Sequence, residues 1–220
     1  MIHQIFWPFN DKQLNDIPVF KTNVDETQIF CKKHNFEYKL WDLKDCEKLI
    51  EEDFSEYSQL WKDFRYDIQR CDFIRYCILY KYGGLYLDCD IRPMKDINKI
   101  FDEEMYFVFW DDDKNKKPYN AIMGAKKDNN LFLQIIKQSQ KDFYEKCEIK
   151  AYDTWKGRFI FQTTGHSMLE RVFKKNKIDK NKCFHNDVFI KNTDKNYDIG
   201  NCNTALFYDG NASVWYDNFV

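Results

Sequence analysis

The sequence predicts an α/β fold, a single domain on an open mixed sheet, mostly parallel and flanked by helices. Three observations carry this. The chain has 220 residues, 44% of them hydrophobic, which suffices for one full core and is too apolar for a disordered chain. Strand-like and helix-like segments alternate through the first half, and that alternation favours parallel pairing. Residues 69–93, QRCDFIRYCILYKYGGLYLDCDIRP, read as a helix, a glycine turn and a buried strand.

Residues 2–7 are a short apolar strand stopped by Pro8. Residues 24–35 have a helical period, with Val24, Gln28, Cys31 and Lys32 along one edge. Residues 36–41 alternate Phe36, Tyr38, Leu40 against Glu37, Lys39, Trp41, a strand pattern. Asp45 is placed to cap a helix running to 52, and a further helix covers 57–64. The helix of 69–82 carries an apolar stripe including Ile74, Ile78 and Leu79, and Gly83 ends it in a left-handed cap. Residues 106–110 and 121–125 are strands, 131–147 a helix, 159–162 a strand and 166–174 a helix. Strand-like pieces at 205–208 and 213–216 close the chain.

Basic residues number 34 and acidic ones 36, a net charge of −2, so no strong field argues for nucleic acid or an anionic membrane. The lysines at 114–117 read as a solvated loop. No apolar run is long enough to span a bilayer and no signal peptide is visible. The expected setting is the cytoplasm or the cytoplasmic face of a membrane, with at most peripheral association. None of the eight cysteines forms a C-x-x-C pair, and their helix and strand positions suit buried reduced thiols. Cys183 and His185 lack the paired partners of a zinc site, and the sequon at Asn211 reads as chance.

Chemistry concentrates at Asp88 and Asp90. On a strand, residues two apart share a face, so both carboxylates are expected to leave an apolar run together. Two like charges at one spot call for a cation. Oxygen ligands without sulfur or imidazole suit Mg²⁺ or Mn²⁺, and such a metal suits a diphosphate. Upstream, Asp72 and Arg75 share a helical face. Alone, that pair would be a surface ion pair of roughly 0.3–0.5 kcal/mol; next to the D-x-D strand it becomes a candidate for the site.

The ordered set DxxR, YGG and YLDxD closely resembles the DXD region of glycosyltransferase family 32, the capsular-polysaccharide and yeast α-mannosyltransferase type. Residues 2–7 (IHQIFW) look like that family's opening strand, against the nucleotide base and ribose; residues 36–42 look like its second strand. Residues 120–125 (NAIMGA) and Thr163-Thr164-Gly165 before Met168-Leu169 look like further family elements. The likeness covers about the first 170 residues, then fades.

The resemblance implies a GT-A fold and a hexosyltransferase, retaining, that uses a UDP- or GDP-linked sugar with Mn²⁺ or Mg²⁺. It implies a glycan, glycolipid or glycoprotein acceptor. Residues 1–110 would form the nucleotide-sugar and metal half, and 111–220 the acceptor side and closing segment. Asp72, Arg75, Asp88 and Asp90 would be catalytic, with Asp88 and Asp90 on the metal. His3, Gln4, Ile5, Trp7, Asp72, Arg75, Tyr82, Gly83, Gly84, Asn120, Thr164 and Gly165 would bind the donor. Two departures stand out. The family's C-terminal His-His-Trp segment is matched only by residues 208–215, where Asp209, Asn211 or Ser213 would supply an oxygen ligand instead. His166 stands where the family often has proline. An inverting route would need a base, and Asp111, Asp112 and Asp113 offer one.

Rival readings are a catalytically inactive sugar-nucleotide or glycan-binding module, a D-x-D phosphatase and a two-carboxylate glycosidase. Phosphatases of that type carry the motif on the first strand, followed by Thr or Val where this chain has Arg92. Glycosidase carboxylates sit roughly 5–9.5 Å apart across a substrate, which suits the i,i+2 pair less well than a metal does.

Overall fold

A computed structural model describes residues 1–8, 11–102, 104–110, 117–178, 189–191 and 207–209. The strands are β1 (Ile2–Ile5), β2 (Tyr38–Trp41), β3 (Gly84–Leu87), β4 (Ile91–Pro93), β5 (Met105–Trp110), β6 (Lys117–Ala125), β7 (Phe189–Lys191) and β8 (Phe207–Asp209). The main sheet has the order β2-β1-β3-β6-β5. Its β1 pairs in parallel with β2 (Ile2 opposite Tyr38) and with β3 (Ile2 opposite Leu85). β6 runs antiparallel to both β3 and β5. Four of the five strands therefore point the same way. A small second sheet has β4 and β7 on either side of β8, antiparallel and parallel to it respectively.

The helices are α1 (Pro18–His34), α2 (Leu43–Asp53), α3 (Ser58–Asp63), α4 (Asp67–Tyr82), α5 (Asn130–Lys146), α6 (Ala151–Thr154), α7 (Lys156–Thr163) and α8 (His166–Lys175). The alternation of β3 splits the core in two. Leu85 and Leu87 pack with Ile122, Val108 and the α1 residues Phe30 and Cys31. Tyr86 faces the other way, into a larger cluster with Phe107, Met123 and the buried faces of α2, α4, α5, α7 and α8. None of the described helices is long and apolar enough to cross a membrane.

Four local expectations are corrected. Residues 159–162 lie in α7 and not in a strand. Phe159, Ile160 and Thr163 are buried along one helical face, and so short an apolar run does not settle its own period. The cap of α2 is Asp42, whose carboxylate accepts from the Asp45 amide at 2.8 Å, while Asp45 is the third helical residue. Gly83 does end α4, but at φ 65°, ψ −160°, outside the left-handed helical region. Finally, β3 ends at Leu87, one residue before the first aspartate. Asp88 to Ile91 form a turn closed by the Ile91 amide on the Asp88 carbonyl at 2.9 Å. A turn after the strand, and not a shared strand face, therefore presents the two carboxylates.

Candidate functional site

The turn sits outside the carboxyl end of β3, where open α/β sheets place their ligands. Its backbone is held from below. The Asp88 amide donates to the Ala121 carbonyl of β6 at 2.9 Å. The Gln4 side-chain amide donates to the carbonyls of Asp88 and Ile91, at 3.1 and 3.2 Å. Asn23 on α1 donates to the Asp90 carbonyl at 2.7 Å. The Cys89 thiol donates to the Ile5 carbonyl at 3.1 Å.

Arg75 on α4 is the hub of the site. One terminal nitrogen donates to Asp88 Oδ1 and to the Asn120 carbonyl, each at 2.9 Å. The other lies 3.2 Å from Asp72 Oδ1, and Nε donates to the Cys71 carbonyl at 3.1 Å. The guanidinium also lies over the Tyr86 ring, 4.7 Å from its centroid. Tyr86 then donates its hydroxyl to Asp88 Oδ1 at 2.6 Å. Asp72 accepts from Asn120 Nδ2 at 2.8 Å and from the Thr164 hydroxyl at 3.0 Å. The Tyr76 hydroxyl donates to the Thr164 carbonyl at 2.6 Å.

Burial sets the electrostatics. Asp72 is 4% exposed, and desolvation pushes its carboxyl from 3.8 up to about 6. Arg75 pulls the other way, as do the bonds from Thr164 and Asn120, so burial wins only in part. Burial opposes the Arg75 charge as well, but Asp88, Tyr86 and Asp72 together raise it above its ordinary value.

The donor set fits a hard divalent ion. Asp88 uses Oδ1 for Arg75 and Tyr86, while its second oxygen has no hydrogen-bond donor among the described residues. Its side chain is 32% exposed, unlike the buried Asp72. Asp72 and Asp88 set two carboxylates against the guanidinium of Arg75. No third His, Cys, Asp or Glu joins the two turn carboxylates in a cluster among the described residues. Mg²⁺ and Mn²⁺ tolerate this, because they keep waters or take phosphate oxygens alongside one or two carboxylates.

The structure brings Asp72, Arg75, Asp88, Asn120 and Thr164 together, with Gly165 starting α8 beside them. Other expected residues lie elsewhere. Tyr82, Gly83 and Gly84 are at the opposite end of β3, about 13 Å from Asp88 at the rise of an extended strand. The two glycines there leave no room for a side chain. A Cβ on Gly83 would fall 2.6 Å from the Lys127 amide nitrogen, and one on Gly84 2.4 Å from the Met1 carbonyl. His3 is fully buried, with Nε2 2.9 Å from the Gly83 carbonyl and Nδ1 accepting from Trp41 Nε1 at 3.2 Å. Desolvation lowers it to about 4, so it is neutral. Gln4 is also fully buried and serves the turn. Ile5 and Trp7 are core, the latter against Trp61. Asp209 is described only as the end of β8, opposite Ile91; Asn211, Ser213 and residues 111–116 lie outside the described residues. The His166 ring lies against Phe161, 4.3 Å between centroids.

Three participants escaped the sequence reading. Tyr86 stands two residues before Asp88, and the period of a strand would have put it on that side. Tyr76 is four residues after Asp72, one helical turn on. Asn23 carries no sequence signal beyond its polarity on an apolar helix edge.

A family model described as "Glycosyltransferase sugar-binding region containing DXD motif" matches residues 12–107. Residues 12–107 are thus similar to the DXD region of family-32-type glycosyltransferases. The match takes in Asp72, Arg75, Asp88 and Asp90, the polar centre of the site. Inositol phosphoceramide mannosyltransferase 3 of Schizosaccharomyces pombe is 31% identical over 106 residues, 47% of this chain and 28% of that protein. Inositol phosphoceramide mannosyltransferase 2 of the same yeast is 24% identical over 189 residues, 84% of this chain and 50% of that one. The chain thus spans half or less of these curated relatives. Among solved structures, the PaToxG glycosyltransferase superposes with a TM-score of 0.51 at 14% identity, over 80% of this chain and 67% of the other. That likeness supports the fold, the GT-A type.

Proposed function

We propose that this protein transfers a hexose from a UDP- or GDP-linked sugar to a glycan, glycolipid or glycoprotein acceptor. The anomeric configuration is retained in this reading. The observation that carries it is the Arg75 hub, which joins the helix carboxylate Asp72, the turn carboxylate Asp88 and Asn120 at the end of the sheet.

Asp88 and Asp90 are the residues to hold Mn²⁺ or Mg²⁺. When bound, such an ion supplies positive charge against the diphosphate as it leaves. The chain's own part is orientation. Asp72 and Arg75 form a rigid floor for the sugar ring, with Asn120 at its edge. Rigidity comes from mutual saturation: each group's position is over-determined by partners from α4, β6 and the Thr164 end of α7. Tyr86 and Arg75 occupy Asp88 Oδ1 and so orient Oδ2 outward. Mannose is the hexose to test first, since the two yeast relatives are named as mannosyltransferases. Inositol phosphoceramide, the acceptor in those relatives' names, makes a glycolipid the first acceptor class to try.

A thermal-shift panel of UDP-glucose, UDP-galactose and GDP-mannose, each with and without Mn²⁺, tests the reading. One donor should raise the melting temperature only when Mn²⁺ is present, and release of its sugar to an acceptor should follow. A panel with no metal-dependent shift would overturn the proposal. A shift without any transfer or hydrolysis would favour the inactive binding module.

A further inference from the structure

We infer that Asn23, far from the D-x-D motif in sequence, is the positioning residue for its second carboxylate, with Gln4 as its counterpart for the first. This rests on the metal site proposed above. The four-residue turn carrying Asp88 and Asp90 owns one internal hydrogen bond, from the Ile91 amide to the Asp88 carbonyl. Such a turn has little stiffness of its own, yet a metal needs its ligands held to a fraction of an ångström. Beside the Asp88 amide on the Ala121 carbonyl and the Cys89 thiol on the Ile5 carbonyl, two buried amides brace the turn. Asn23 is 1% exposed, on α1, and donates to the Asp90 carbonyl at 2.7 Å. Gln4 is 0% exposed, on β1, and bridges the carbonyls of Asp88 and Ile91.

Each amide is itself fixed. The Tyr38 hydroxyl donates to Gln4 Oε1 at 2.9 Å, which orients the Gln4 amide toward the turn. Asn23 is held through its backbone inside α1, where the Thr27 hydroxyl donates to its main-chain carbonyl at 2.7 Å, and its side chain is buried at 1% exposure. A buried amide is retained where its bonds are satisfied, and both of these donate to the turn. Neither Gln4 nor Asn23 is itself a metal ligand in this arrangement. They act through the backbone on either side of the carboxylates, as outer partners do at other metal sites, where losing one typically costs about 10–100-fold in metal affinity.

The test compares Asn23→Ala with Leu49→Ala. Leu49 is a buried residue of α2, 3% exposed, in a cluster that includes no residue of the turn, so its truncation costs stability without touching the turn. Mn²⁺ binding is titrated by electron paramagnetic resonance, alone and with UDP or GDP, and urea unfolding gives each variant's stability. Asn23→Ala should weaken Mn²⁺ about tenfold or more, and Leu49→Ala should leave it within about twofold of wild type. Asn23→Ser, whose shorter hydroxyl can still donate through a small shift, should recover part of the loss and covers the case in which the alanine variant does not fold. Equal Mn²⁺ affinity in wild type and the Asn23 variants, with Mn²⁺ bound, overturns this inference and spares the metal site. Absence of Mn²⁺ binding by wild type overturns both.

Discussion

Replacing Asp72 by Asn tests whether burial or Arg75 dominates that carboxylate. The substitution keeps the shape and one acceptor oxygen but removes the charge. In the folded protein Asp72 titrates near 6, against 3.8 ordinarily, because desolvation outweighs Arg75 and the bonds from Thr164 and Asn120. A folded-state value above the unfolded one means that the native state binds the proton more tightly. Stability from this group is then fully present below pH 3.8 and is lost as pH rises through about 6. The complete loss is about 3 kcal/mol, of which about 2 falls between pH 4.5 and 7.5. Urea unfolding of both proteins at these two pH values measures it. His3, whose lowered value gives the opposite slope, cancels in the difference because both proteins carry it. Asp72→Asn should gain about 2 kcal/mol on wild type as pH rises from 4.5 to 7.5, while sugar transfer falls. A flat difference, or wild type gaining on the variant, would show that Arg75 outweighs burial and that the electrostatic account is wrong.

Asp88→Asn and Asp90→Asn should each lower transfer by more than about a hundredfold with the fold intact, and EDTA should silence wild type until Mn²⁺ is restored; turnover undiminished in excess chelator would refute the metal. Gly84→Ala should destabilise by at least about 1–3 kcal/mol from its φ of 92° alone, read as a lower urea midpoint, with the Met1 carbonyl adding a clash. All cysteines should be reduced, since five of the six described ones are buried and unpaired; intact mass unchanged by a reductant and alkylator except at exposed thiols checks this.

The sequence was most legible where local chemistry and tertiary structure agree. The helix of Asp72 and Arg75, the glycine turn and the strand after it follow from apolar period and turn residues alone, and the structure has all three. The α7 segment was not legible, because the three-residue apolar run 159–161 fits a strand or a helix and only its packing against α5 decides. The site divides similarly. Asp72, Arg75 and Asp88 could be grouped by spacing. Thr164 and Asn120 were placed by their likeness to family segments, since no local period links them to Asp72. Tyr82, Gly83 and Gly84 were grouped with the donor by the family resemblance, and the rise of β3 places them at the other end of that strand from Asp88.

The bonds that build this site are long in chain terms. Asn120 reaches back 48 residues to Asp72, Thr164 reaches back 92, and Gln4 reaches forward 84 to the turn. Each closes a long loop at an entropy cost, which is lowest once the sheet and the covering helices have already brought the ends together. The 12–107 segment that carries the family pattern lacks Gln4, Asn120 and Thr164. Cut out alone, it would keep its D-x-D, Arg75, Tyr86 and Asn23 but lose the partners that brace them from β1, β6 and the end of α7: what defines this site as a motif is shorter than what assembles it as a surface.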